Sequence, residues 1–72
     1  MKLLDLNIVL WKEGKYHIAQ CLNTNISSFG KNKNEALKNI HEALELYFED
    51  NKKPEIARVK NPELIQSSLA YA

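Results

Sequence analysis

Hydrophobic and polar residues alternate with period two over residues 3–12 (LLDLNIVLWK). Leu4, Leu6, Ile8 and Leu10 fall on one side of an extended chain, and Leu3, Asp5, Asn7, Val9 and Trp11 on the other. That period predicts a half-buried strand. Glu13-Gly14 follows, with a glycine able to take the positive φ of a tight turn, and residues 15–22 (KYHIAQCL) read as the return strand. Placing Glu13 and Gly14 in a two-residue turn pairs Lys12 with Lys15, Trp11 with Tyr16, Leu10 with His17, Val9 with Ile18, Ile8 with Ala19 and Leu6 with Cys21. Directly paired residues share a face. One face then carries Leu6, Ile8, Leu10, Ala19 and Cys21, and its small residues leave room for a helix. The other carries Val9, Trp11, Tyr16 and Ile18, which is more apolar than a solvated sheet face requires.

Asn23-Thr24-Asn25 is a turn by composition, and Ile26–Phe29 reads as a short third strand ended by Gly30. A helix is predicted over about 33–50. Asn32 is a good N-cap, Glu35 completes a capping-box spacing, and Ala36, Leu37, Ile40, Ala43, Leu44, Tyr47 and Phe48 fall in one arc at 100° per residue. Leu46 flanks that arc. Asn51 and Pro54 end the helix. Residues 51–62 hold both prolines and read as a loop, with a possible extended piece at Ile56–Val59. Residues 63–71 (ELIQSSLAY) place Ile65, Leu69 and Tyr71 on one strand face, and Ser67-Ser68 disfavours a helix interior, so a last strand is expected there. The order β-β-β-α-β makes a single α+β domain over 1–72, an antiparallel sheet with one helix packed on one face.

Length and composition sharpen this picture. The chain has 72 residues, a formal net charge of +1, and one cysteine. A chain this short buries a smaller fraction of its surface than larger domains, and such domains usually gain a disulfide, a metal or a partner chain. One cysteine excludes an intrachain disulfide, and Cys21, His17 and His41 match no metal-ligand spacing. Oligomerisation, as a dimer or tetramer, is the stabiliser left. Its expected location is the Val9–Trp11–Tyr16–Ile18 face, the flank at Leu46, or the last strand at Leu69 and Tyr71. The near-zero charge argues against a general nucleic-acid binder. No apolar run approaches the ~20 residues of a membrane span, and Asp5 and Asn7 interrupt the N-terminal apolar stretch, so a cytoplasmic protein without a leader is expected.

No catalytic, metal or cofactor constellation emerges. His17 and His41 read as structural or surface histidines, Cys21 as a small buried hydrophobe, and Ser27-Ser28 and Ser67-Ser68 lack a nearby base. Gly14 and Gly30 are isolated turn glycines rather than a phosphate loop. Lys31, Lys33, Lys52, Lys53, Arg58 and Lys60 are scattered over loops, where solvation is the ordinary fate and a weak RNA-binding patch the alternative. Glu42, Glu45, Glu49 and Asp50 form an acidic cluster on the solvent side of the helix or near its end, and Glu49 and Asp50 sit near the C-terminus, where the macrodipole disfavours negative charge by a few tenths of a kcal/mol. That mildly favours a basic partner.

Several segments together resemble one family. They are Tyr16-x-x-Ala19-Gln20-Cys21-Leu22, Ile26-x-Ser28-x-Gly30, Asn34-Glu35-Ala36-Leu37, Glu42-Ala43-Leu44-Glu45-Leu46-Tyr47 and the closing Ser68-Leu69-Ala70-Tyr71-Ala72. In that order they resemble the small, single-domain branch of the HicB-like antitoxins. The resemblance implies a partial RNase H-like fold, β-β-β-α-β. It also implies a non-catalytic protein that binds and blocks a small mRNA-cleaving toxin, HicA-like, basic, with a catalytic histidine of its own. Many relatives carry a C-terminal DNA-binding domain; this sequence shows none by Ala72, so direct DNA binding is not expected. The rival expectation is an orphan homo-oligomeric interaction module of the same fold.

Overall fold

A computed structural model describes residues 4–71 of the chain. Among them, β1 (Ile8–Glu13), β2 (Tyr16–Cys21) and β3 (Ser27–Gly30) precede one helix, α1 (Lys33–Asp50). The strands form an antiparallel meander in the order β1-β2-β3. The α+β class and the β-β-β-α order agree with the alternation and arc read from the sequence. The expected start of the first strand at Leu3 lies outside the described residues, and residues 4–7 lead into β1 without belonging to it.

The hairpin register differs from the expected one. Ile8 pairs with Cys21, Leu10 with Ala19, Trp11 with Ile18, Lys12 with His17 and Glu13 with Tyr16. The two-residue loop is therefore Gly14-Lys15, not Glu13-Gly14. Gly14 takes φ +57 and Lys15 does not share a positive φ. Positive φ at the first central position alone is the pattern of a type II′ turn, which matches the strand twist and selects glycine there. Each expected partner is displaced by two residues. Because side chains alternate with period two, a two-residue displacement leaves every side chain on its expected face.

The core is small. Ala19 and Cys21 from β2 meet Ala36, Ile40 and Leu44 from α1, and Leu6, Ile8, Leu10, Ile26 and Phe48 pack around them. Burying Ile40 and Leu44 stabilises the fold by about 1.5–3 kcal/mol each. Small residues opposite the helix let it approach closely. The tightest approach is at Gly30: a Cβ there would sit 2.5 Å from the Ala36 backbone N and 2.8 Å from the Glu35 carbonyl carbon. The helix starts as expected. Asn32 Oδ1 accepts a hydrogen bond from Glu35 N–H at 2.8 Å, while Glu35 Oε1 accepts from Lys31 N–H at 3.3 Å. At the other end Asn51 Nδ2 donates to the Tyr47 carbonyl at 2.7 Å.

Beyond the helix the chain is irregular. Ile56–Val59 forms no strand, yet the segment is fastened to the body. Glu55 N–H donates to Tyr47 Oη at 3.0 Å, and Ala57 N–H donates to the Asn23 carbonyl at 2.8 Å. The expected last strand over 63–71 does not form among the described residues: Leu64, Ile65, Leu69 and Tyr71 are exposed, with no neighbouring strand to pair against. Alternation encodes a strand's faces but not its partner, and backbone groups enter a ladder only when a second strand is alongside. The last residue of the closing motif, Ala72, lies outside the described residues.

Candidate functional site

Three surfaces carry the expected site residues. The first is the sheet face away from the helix. The observed registers align Trp11, Ile18 and Phe29 in a single row across all three strands. Tyr16 meets Phe29 edge-to-face, with ring centroids 5.5 Å apart and planes at 82°. Such a pair contributes about 0.5–1.5 kcal/mol beyond area burial. Trp11 Nε1 donates to Glu13 Oε1 at 3.0 Å, which satisfies the indole and fixes its ring on this face. Val9 lies on the same face by alternation. The expected group Val9, Trp11, Tyr16 and Ile18 is thus brought together. Tyr16 reaches across to β3, however, rather than opposing Trp11. Phe29, 58% exposed, was not anticipated in this group. Its signal is parity: it alternates with Ser28 and Gly30, which face the helix, so it must face out.

The expected interface residues do not all share one surface. Leu46 is exposed on α1, whose opposite side packs on the sheet, and Leu69 and Tyr71 lie on the terminal segment. Leu46 therefore cannot join the Trp11 row in one patch.

The second surface is a groove between the approach to β1 and the C-terminal half of α1. Leu4, Leu6, Ile8, Leu44 and Phe48 make its apolar wall, and its volume is about 870 Å³. Asp5, His41, Glu45 and Glu49 border it. The acidic stretch is thus divided. Glu45 and Glu49 sit at the groove rim, and Glu42 and Asp50 are exposed on the helix outside it. The last turn of α1 holds no basic residue, so nothing there offsets the dipole's penalty on Glu49 and Asp50.

The third feature is a polar clamp the sequence did not reveal. Asn23 is 6% exposed. Its Oδ1 accepts from Asn7 N–H at 2.7 Å, and its Nδ2 donates to the Ala57 carbonyl at 2.8 Å. Asn7 Nδ2 in turn donates to the Val59 carbonyl at 3.0 Å. These bonds tie the start of β1, the β2–β3 turn and the post-helix segment into one unit. Thr24 Oγ1 closes the same turn by accepting from Ile26 N–H at 3.2 Å.

The remaining candidates stay apart. His17 lies on the helix side opposite Gly30, and its Nδ1 is buried without a hydrogen-bond partner. His41 is exposed at the groove and Cys21 is a free, buried thiol in the core. Among the described residues no three of His, Cys, Asp and Glu are placed to hold a metal ion, and no helix is long and apolar enough to cross a membrane. Chemically, the arrangement offers surfaces for docking: an aromatic row, an apolar groove and an acidic helix stripe. No family model, curated protein or solved structure matches the chain.

Proposed function

We propose that this protein is a HicB-like antitoxin, a non-catalytic cytoplasmic domain that binds and blocks a small, basic, mRNA-cleaving toxin. The observation that supports the reading best is the acidic stripe of α1. Glu42, Glu45 and Glu49 recur at helical spacing, Asp50 extends the charge, and Asp5 adds to it across the groove. Glu49 and Asp50 stand in the last turn, where the helix dipole disfavours them, so their placement there serves something other than the helix. A positively charged RNA-binding surface is their natural complement, because opposed charge accelerates encounter and fixes orientation. The order of β-β-β-α elements and the sequence resemblance agree with this role.

A second reading has its own support. The Trp11–Ile18–Phe29 row is the kind of aromatic surface enriched at protein interfaces, and it requires no basic partner. On that reading the chain is an interaction module of the same fold with a different target.

Co-purification separates the two. Tagged protein co-expressed with a small basic ribonuclease encoded beside it should retain that ribonuclease at low salt and release it as salt rises. A Glu45→Lys/Glu49→Lys variant should lose the complex while keeping its helical circular dichroism. Failure to retain the ribonuclease, or retention indifferent to both salt and charge reversal, sinks the antitoxin reading. No retention of the ribonuclease, together with a self-association that is lost on Trp11→Lys, favours the second.

A further inference from the structure

We infer that the terminal segment 62–71 is a donated strand, which completes the sheet of a second copy of this chain by lying along its β1 edge. The inference does not rest on the toxin reading, but it uses the same groove: the strand would lie on the apolar floor between Leu6, Ile8, Leu44 and Phe48, while Glu45 and Glu49 stay at the rim.

The terminal segment is displayed, not packed. Hydrogen bonds from Asn23 and Asn7 hold the chain to its own body as far as Val59. Asn61 then turns with φ 49, and from there the chain leaves the body. Leu64 is 94% exposed, Leu69 87% and Tyr71 92%. These side chains belong to an alternating stretch that has the pattern of a strand and lacks a partner.

The whole molecule carries the mark of that missing contact. A folded monomer of 8.3 kDa exposes about 4,600 Å². This chain exposes 6696 Å². The excess, roughly 2,000 Å² on one chain, is more than the ~800 Å² that each partner contributes to a standard protein interface. The radius of gyration is 14.3 Å, against about 11 Å for a compact domain of this length.

The acceptor is on the same chain. In the order β1-β2-β3, β1 is an edge strand with one side unpaired. Beside it runs the groove walled by Leu6, Ile8, Leu44 and Phe48. A strand added there finds both a backbone ladder and an apolar floor. Ile65, Leu69 and Tyr71 share one side and would enter the groove, with Leu64 directed to the sheet's outer face. Ten extended residues span about 33 Å, enough to reach along a neighbouring β1. Donor and acceptor on one chain make the contact self-complementary, so two copies close as a twofold dimer and both exposed edges are covered together.

The test uses the full-length protein. Light scattering should give a dimer at tens of micromolar. Leu69→Asp and Ser68→Pro, which remove an apolar anchor and a backbone donor from the segment without touching the body, should each shift it to monomer. In a mixture of isotopically labelled and unlabelled protein, filtered nuclear Overhauser spectra should connect the methyls of Leu69 in one copy to Ile8 and Leu44 of the other. A monomeric wild type, a dimer that survives both substitutions, or contacts confined to a single copy would each overturn the inference.

Discussion

Gly30 gives the sharpest check on how the helix seats on the sheet. Its φ is not in the left-handed region, so an alanine there would suffer no conformational penalty. The obstacle is purely steric. A Cβ would sit 2.5 Å from Ala36 N and 2.8 Å from both the carbonyl carbon and the Cβ of Glu35. Two of these are backbone atoms in the first turn of α1, beside the capped N-terminus, and cannot swing aside as a side-chain tip could. Overpacking of this kind costs about 1–3 kcal/mol. Stiffening the unfolded chain returns about 0.4–1 kcal/mol. Gly30→Ala should therefore destabilise by about 1–2 kcal/mol, which for a domain of this size lowers Tm by roughly 5–15 °C. Urea unfolding followed by circular dichroism should show a lower midpoint at unchanged slope. Gly14→Ala is the counterpart. An added Cβ there meets nothing within 4 Å, but φ is +57, so the cost is the left-handed penalty of about 1–2 kcal/mol. A second substitution in β3, Ser28→Ala, should leave Gly30→Ala's penalty unchanged. If Gly30→Ala unfolds at the wild-type midpoint, β3 does not approach α1 as described.

Other substitutions test separate parts of the structure. Asn23→Ala removes two side-chain hydrogen bonds and strands the Asn7 N–H and the Ala57 carbonyl, so a loss of about 2–3 kcal/mol in urea unfolding is expected. A loss below 0.5 kcal/mol, roughly the noise of such measurements, would mean the clamp is not formed in solution. His17→Leu removes a buried nitrogen that has no partner, and stability should stay level or rise by up to about 1 kcal/mol; a clear drop in the midpoint would show that Nδ1 is bonded after all. Asp50→Lys relieves the unfavourable end of the helix dipole and should raise the thermal midpoint slightly while weakening capture of a basic partner. If both stability and capture fall together, the carboxylate supports the fold and not the complex.

Local patterns were legible where their partners lie close in sequence. The alternation of Leu6, Ile8 and Leu10 and of Ala19 and Cys21 revealed which face meets the helix, and Asn32 with Glu35 revealed where the helix starts. The hairpin turn was misplaced by one residue because Glu13-Gly14 and Gly14-Lys15 are both chemically acceptable; only the backbone of Gly14 decides between them. Parity protected the faces from that error. Asn23 looked like an ordinary turn residue because its partners, Asn7 and Ala57, are 16 and 34 positions away. Residues 63–71 show the opposite case. Their strand pattern is plain, but the pattern carries no information about which edge they join. The acidic stretch was visible as composition, while its division between groove rim and open helix needed the packing of Phe48 and Leu44 against β1.

The most direct test of the proposed function is inhibition of RNA cleavage by the purified toxin. With a small basic ribonuclease partner cleaving a reporter mRNA, added protein should abolish cleavage at a stoichiometric ratio, and the Glu45→Lys/Glu49→Lys variant should fail to do so at the same concentration. Cleavage that continues unchanged at a large molar excess of the wild-type protein would contradict the antitoxin reading.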